Sequence, residues 1–188
     1  VYYRGEQVNT WRNSKNRPNR IGLIQSESCL VEGLTVADNI FVLRPGFKTW
    51  LIRPSVLRRQ LLPFLESIDI SISADAYVAA LTPFEKVVVD VLKSVVAGCK
   101  LIVLRDISGD ISETELRKIH LLLRHYAEQG ISFLYIDFHF EDLRQICDHV
   151  ALMSNGRIIK VLQSETATPD TFRHYTHTFD GMVKQQIT

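Results

Sequence analysis

The stretch Cys99-Lys100-Leu101-Ile102-Val103-Leu104-Arg105-Asp106-Ile107-Ser108-Gly109-Asp110 decides the fold of this chain. Its four consecutive apolar residues, Leu101 to Leu104, predict a strand buried on both faces, as in a parallel sheet covered by helices. Asp106 would then stand at the carboxyl end of the strand, where open α/β sheets bind ligands. Arg105 is unexpected at such a place, because a guanidinium stays charged and opposes a bound magnesium ion.

Helix and strand signals alternate on both sides of this stretch. A capping box opens a helix at Thr82, and a second capping box opens one at Ser112. Apolar strands are predicted at 21–25 and 131–136. Further on, the Asn155-Gly156 pair predicts the turn of a β-hairpin, and a last helix is expected near Pro169. This alternation predicts an α/β fold with a parallel sheet.

The segment between the first strand and the Thr82 helix has a different character. A helix is predicted to begin at Thr35, and a longer one to run from about 54 to 68. We therefore predict a mainly helical lobe at about 29–80, inserted within a single domain that spans residues 1–188.

Composition favours a globular protein without direct membrane insertion. The 188 residues include 22 basic and 21 acidic side chains, so the formal charge is +1 and a nucleic-acid partner is not expected. No apolar run reaches the roughly 18 residues of a membrane span, and the start lacks a signal-peptide pattern. Cys29, Cys99 and Cys147 lack CxxC spacing, which favours buried thiols over a disulfide framework or a zinc site.

The order of these elements resembles an ATP-binding-cassette (ABC) ATPase, of the sugar-import type with two cassettes in one chain. Six phrases carry the resemblance: GLIQ (22–25), LTVADNI (34–40), LTPFEK (81–86), LIVLRDISGDIS (101–112), LYIDF (134–138) and ICDHVALMSNGRI (146–158). They follow the order and approximate spacing of the family and cover roughly residues 1 to 160. The resemblance implies a P-loop NTPase-like sheet flanked by helices.

The resemblance also implies a phosphate-binding P-loop, GxxxxGK[S/T], ahead of the strand at 21–25. That pattern does not occur in the 188 residues. We expect that the chain as given begins downstream of the loop, or that the natural protein lacks it.

Two family motifs precede the opening stretch. Gln25 matches the Q-loop glutamine, which in the family links the magnesium ion to the membrane subunit through the helical lobe. Thr82 lies in the signature segment that contacts the opposite subunit's nucleotide, and Pro83 and Phe84 replace its two glycines. We expect the ring of Phe84 to obstruct a phosphate and Pro83 to remove an amide donor, whereas Thr82 still offers a hydroxyl.

Within the opening stretch, Asp106 takes the place of the catalytic glutamate, and Arg105 that of the aspartate that orients magnesium. Asp106 is one methylene shorter than glutamate, so it would approach a water differently. We expect Arg105 to pair with Asp106 rather than to catalyse. Phe138 takes the place of the switch histidine, and His139, one residue later, would point to the other face of a strand. No metal-binding residue is predicted.

These substitutions favour a degenerate cassette that pairs with a second cassette, docks onto a transmembrane permease through the helical lobe, or does both. It would be cytoplasmic and peripheral to the inner face of the cell membrane. No cofactor is expected for the isolated chain, although a full assembly is compatible with ATP and Mg²⁺. Two alternatives stay open: an ATP-hydrolysing subunit active only with a partner cassette or an upstream P-loop, and a regulatory module for a non-nucleotide ligand.

Overall fold

The computed structural model describes residues 2–3, 6–7, 21–41, 62–137, 140–171 and 173–175. The chain divides into two compact units, Val1–Ile136 and Asp137–Thr188. The helical lobe predicted at about 29–80 is described only in part, since residues 42–61 lie outside these ranges. The prediction of one domain with an inserted lobe therefore stays a prediction.

Two sheets are described in the first unit. The smaller one is an antiparallel pair, β1 (Tyr2–Tyr3) and β2 (Glu6–Gln7). The larger one contains the parallel strands β3 (Ile21–Gln25), β4 (Leu101–Arg105) and β5 (Ser132–Ile136), with β4 in the centre. The pairing aligns Leu23 with Val103, and Val103 with Leu134. The predicted parallel α/β sheet is confirmed.

The described part of the predicted lobe contains α1 (Val36–Phe41), α2 (Leu62–Ser67) and a 3-10 turn at Val78–Ala80. Thr35 opens α1 as predicted, because its hydroxyl accepts a hydrogen bond from the Asp38 N–H at 3.1 Å. The helix predicted at about 54–68 is confirmed over α2, and its earlier residues lie outside the described ranges.

Both predicted capping boxes are present, at the starts of α3 (Pro83–Val96) and α4 (Glu113–Glu128). At α3, the Thr82 hydroxyl accepts from the Glu85 N–H at 3.2 Å, and the Glu85 carboxylate accepts from the Thr82 N–H at 2.8 Å. Ser112 and Glu115 make the same reciprocal pair at α4. Two otherwise unpaired backbone donors are thereby satisfied at each helix start.

The larger sheet packs against these helices through one face. Ile102 and Leu104 of β4 are fully buried there. A Cβ on Gly22 would lie 2.7 Å from Oγ of Ser94, so glycine permits the close approach of α3 to β3. On the opposite face Val103 is only half-buried. The prediction that β4 is buried on both faces is therefore confirmed for one face, whereas on the other face Leu101 and Val103 are partly buried.

The second unit contains α5 (Phe140–Ile146) and the predicted hairpin of β6 (His149–Ser154) and β7 (Arg157–Gln163). Asn155 and Gly156 have φ angles of 47° and 75°, which fits the left-handed turn expected of this pair. The buried core of the second unit is formed by Val150, Leu152 and Ala167. Helical backbone at 169–171 and 173–175 confirms the helix predicted near Pro169. Across the described ranges, none of the helices is long and apolar enough to cross a membrane.

Candidate functional site

The carboxyl ends of β3 and β4 bring two predicted site residues side by side. Gln25 is the pairing partner of Arg105, so both side chains lie on the same face and at the same edge of the sheet. Ile136 completes this row at the end of β5. An amide and a guanidinium are therefore neighbours at the edge where parallel sheets bind ligands.

Asp106 leaves β4 in a left-handed conformation, with a φ of 51°. Its N–H donates to the carbonyl of Ile136 at 3.0 Å, which ties the turn to β5. Nε of Arg105 lies 3.7 Å from Oδ2 of Asp106, so the expected ion pair is present. Both side chains are about half exposed, and solvent screening limits such a pair to roughly 0–1 kcal/mol of stability.

This edge of the sheet does not fit a magnesium ion. Its carboxylate, Asp106, already lies beside a permanent cation, Arg105, which would repel a divalent cation. The described part of the chain holds no group of three or more His, Cys, Asp and Glu side chains suited to a metal. The residues at this edge therefore disagree with the magnesium that the resemblance implies for a full assembly.

The start of α3 is the segment that the resemblance assigns to the signature motif. The Thr82 hydroxyl accepts from the Glu85 N–H and donates to the Glu85 carboxylate at 3.1 Å, so it is engaged in the helix cap. Pro83 is exposed, whereas Phe84 is buried. The Phe84 side chain is therefore packed in the protein rather than presented to solvent, and its expected obstruction of a phosphate stays a prediction. Pro83 still lacks an N–H at this helix start.

The loop that follows Gln25 is held by a buried carboxyl that sequence reasoning missed. The Ser28 hydroxyl donates to Oδ2 of Asp90, on α3, at 2.8 Å. Burial raises the pKa of the Asp90 carboxyl, and the hydrogen bond from Ser28 partly opposes that rise. A single acid within the apolar run 87–92 was the signal that could have identified this contact.

Asn39, fully buried in α1, holds the same loop at a second point. Its Oδ1 accepts from the Val31 N–H at 2.8 Å, and its Nδ2 donates to the carbonyls of Val31 and Thr35, both at 3.0 Å. Each polar atom of the amide therefore has a partner. The position of the loop is set by side chains from two helices.

Next to this loop, three apolar side chains form an exposed group that we call the lobe patch: Val31, Leu34 and Tyr77. They are 53%, 36% and 60% exposed. Their backbones are joined by an isolated bridge between Thr35 and Tyr77, and by a hydrogen bond from the Val78 N–H to the Leu34 carbonyl at 3.1 Å. Exposed apolar side chains on neighbouring backbone segments are the kind of surface at which partners bind.

One predicted position stays undecided. Phe138 and His139 lie outside the described ranges. The loss of the switch histidine therefore stays a prediction.

Solved structures of ABC ATPase cassettes share this fold. A crystal structure of a nucleotide-free ATP-binding cassette from an ABC transporter matches with a TM-score of 0.56 and 20% identity, over 76% of this chain and 61% of that chain. CbiO1 of Clostridium perfringens, part of the ABC transporter complex cbiONQ, matches with a TM-score of 0.63 and 19% identity, over 78% of this chain and 58% of that one.

The sequence is similar to the ATP-binding proteins of sugar importers, which confirms the predicted resemblance. One relative is the galactose/methyl galactoside import ATP-binding protein MglA of Pasteurella multocida, 22% identical over 90% of this chain and 34% of the relative. Another is the ribose import ATP-binding protein RbsA 3 of Rubrobacter xylanophilus, 21% identical over 88% of this chain and 33% of the relative. The chain thus spans about a third of the length of these curated relatives. No family model matches it.

Proposed function

We propose that this chain is a cassette of a sugar-type ABC importer in which hydrolysis is impaired, and that it serves mainly to pair with a second cassette and to dock onto a transmembrane permease. The observation that carries the proposal is the position of Arg105, beside Gln25 and paired with Asp106. The importer part is supported by relatives that are named import ATP-binding proteins. The chain would act at the cytoplasmic face of the membrane, through its permease.

Impaired hydrolysis follows from what phosphoryl transfer requires. The reaction depends on magnesium and on groups held ready to stabilise developing charge. A cation at position 105 opposes the metal, and the carboxylate that would have to orient a water is paired with that cation. Pro83 further removes an amide donor at the start of α3.

The lobe patch supports the docking part of the proposal. Val31, Leu34 and Tyr77 present apolar surface beside the loop that leads away from Gln25. Because this loop is bound to α1 and α3, the patch is presented on a fixed support. We assign a cytoplasmic segment of the permease as its partner.

Nucleotide binding is tested by the thermal shift of the purified chain. We expect no shift with Mg-ATP, either for the unchanged protein or for Asp106→Ala, Gln25→Ala and the control Asp110→Ala. A clear shift that Asp106→Ala abolishes, and that Gln25→Ala and Asp110→Ala leave in place, would overturn the claim of impaired nucleotide chemistry.

Docking is tested by co-purification with the permease subunit of the same transporter. Tyr77→Glu should weaken the complex about 10-fold or more, as expected for an exposed aromatic anchor at an interface. Leu121→Glu on α4 is the matched control, since Leu121 is 50% exposed but lies outside the patch. Equal effects of the two variants would refute docking through the lobe patch.

An ATPase active only within an asymmetric pair is the second candidate. The intact cap of α3 favours it, because the helix start that would face a partner's nucleotide is well formed. This candidate predicts that Mg-ATP binds when a competent partner cassette is present, and not to this chain alone.

A further inference from the structure

The loop between β3 and α1 is joined to α3 by two polar contacts. The Ser28 hydroxyl donates to Oδ2 of Asp90 at 2.8 Å, and Oε1 of Glu32 lies 3.4 Å from Nζ of Lys86. Lys86 and Asp90 are four residues apart on α3, so they lie on the same side of the helix, one turn from each other. We call these two contacts the loop clasp. The clasp fastens to α3 the segment that leads from Gln25, at the sheet edge, to α1.

The two contacts of the loop clasp differ in burial. The side chain of Glu32 is 70% exposed, so solvent screening leaves its ion pair with Lys86 weak. Asp90, in contrast, is only 7% exposed. Its partner Ser28 also accepts a hydrogen bond from the N–H of Leu30, a buried residue, at 3.2 Å. The contact between Ser28 and Asp90 therefore contributes most to holding the loop on α3.

The carboxyl of Asp90 has few groups to compensate a buried negative charge. Across the described residues, the Ser28 hydroxyl is the one hydrogen-bond donor to this side chain. An ionised carboxylate offers about four acceptor positions, and a buried charge is stable only where it is well paired. The neutral acid keeps an acceptor for Ser28 and avoids the penalty of burying a charge. The closed loop therefore favours the protonated form of Asp90.

The electrostatic surroundings of Asp90 agree with this reasoning. Burial is the largest influence on the pKa of Asp90 and raises it, while the hydrogen bond from Ser28 and the charge of Lys93 lower it to a smaller extent. Within the described part of the first unit, Lys93 is the one charged group that acts on Asp90, and none on β3, α1 or α4 does. The other titratable groups on the loop and on the sides of α1 and α3 nearest to it are Glu27, Cys29, Glu32, Asp38 and Lys86.

We propose that the loop clasp is a proton-dependent latch, in which the loop stays on α3 while Asp90 is protonated and is released more readily once Asp90 is ionised. Release lets water reach the carboxylate and restores the hydration that burial removes. Because the closed form holds the proton more tightly than the open form, the open fraction rises with pH, by at most tenfold per pH unit. The rise ends at the pH where the closed form is ionised as well. This latch depends neither on the loss of hydrolysis nor on the lobe patch.

The test is hydrogen exchange of the Leu30 amide in the purified chain between pH 4 and pH 7. The quantity compared is the protection factor, which is the slowing of exchange relative to an unstructured chain at the same pH. In the unchanged protein it should fall about threefold or more over this range. The amide of Ile119, fully buried in α4, reports on unfolding of the whole unit and should stay more protected than Leu30 at every pH.

Three variants separate the latch from a merely structural contact. Asp90→Asn keeps the shape of the side chain and an acceptor for Ser28 but cannot ionise, so the protection factor of Leu30 should no longer depend on pH. Glu32→Gln makes the matched change in the exposed contact and should leave the pH dependence in place. Ser28→Ala removes a hydrogen bond that favours the ionised carboxyl, so the protection factor should level off at a higher pH. Circular dichroism checks that all three variants fold.

Three results would overturn the proposal. The first is a protection factor of Leu30 that is the same at pH 4 and pH 7 in the unchanged protein. The second is a pH dependence that survives Asp90→Asn, that disappears in Glu32→Gln, or that levels off at an unchanged pH in Ser28→Ala. The third is equal protection of Leu30 and Ile119, since the loop would then open only when the whole unit unfolds.

Discussion

Replacing the buried amide of Asn39 by a carboxyl should destabilise the loop that follows Gln25. Asn39→Asp keeps the shape of the side chain and the acceptor for the Val31 N–H, but removes the donors to the carbonyls of Val31 and Thr35. Two lost hydrogen bonds amount to about 2 kcal/mol, and burying a carboxylate against two carbonyls adds to that. We expect the free energy of unfolding to fall by about 3 kcal/mol or more at pH 7.

The loss should also depend on pH. Burial raises the pKa of the introduced carboxyl, so the folded state binds its proton more tightly than the unfolded state does. Stability is then lost as pH rises through the weakly acidic range and is partly recovered as pH falls. Asn39→Ala, which carries no titratable group, should be destabilised by a similar amount at every pH.

Urea unfolding followed by circular dichroism at pH 5 and pH 7 measures both effects, and hydrogen exchange of the Val31 amide reports on the loop itself. Asn155→Asp is the matched control, since it makes the same chemical change at an exposed turn, where we expect less than about 0.5 kcal/mol. A loss below about 1 kcal/mol for Asn39→Asp at pH 7, or a loss that is the same at both pH values, would refute the reasoning.

Three further predictions concern single contacts in the first unit. Thr82→Ala removes the cap of α3 and should lower the free energy of unfolding by about 1 kcal/mol, measured by urea titration. Gly22→Ala places a Cβ 2.7 Å from Oγ of Ser94 and should cost about 1–3 kcal/mol. Ser94→Ala in the same chain should recover part of that loss, and no recovery would refute the steric explanation. Because the pKa of Asp90 is raised, the folded protein holds the proton of this carboxyl more tightly than the unfolded chain does. Asp90 therefore lowers the free energy of unfolding as the pH rises above 3.8, the ordinary pKa of an aspartate. Asp90→Asn should therefore flatten the fall in melting temperature between mildly acidic and neutral pH, and an unchanged pH profile would contradict this.

Three site residues show how far sequence reasoning reached. The roles assigned to Gln25 and Arg105 came from the resemblance, but their adjacency required the register of β3 against β4. Phe84 was expected to obstruct a ligand because it replaces a glycine, yet its ring is buried. The capping signal at Thr82 predicts that Phe84 lies in the first turn of a helix, but only the packing of that helix decides whether the side chain points to solvent or to the core.

The sequence by itself determined the order of strands and helices, the caps at Thr82 and Ser112, the Asn155-Gly156 turn and the resemblance to an ABC cassette. The caps and the turn depend on side chains within a few residues of one another, so their signals are local, and the resemblance rests on the order of six short phrases along the chain. Only the tertiary structure decided that β4 is fully buried on one face and partly buried on the other, that Arg105 lies beside Gln25, and that Asp90 and Asn39 hold the loop between them. Those contacts join residues far apart in sequence, and they exist only once strand register and helix placement bring the side chains together.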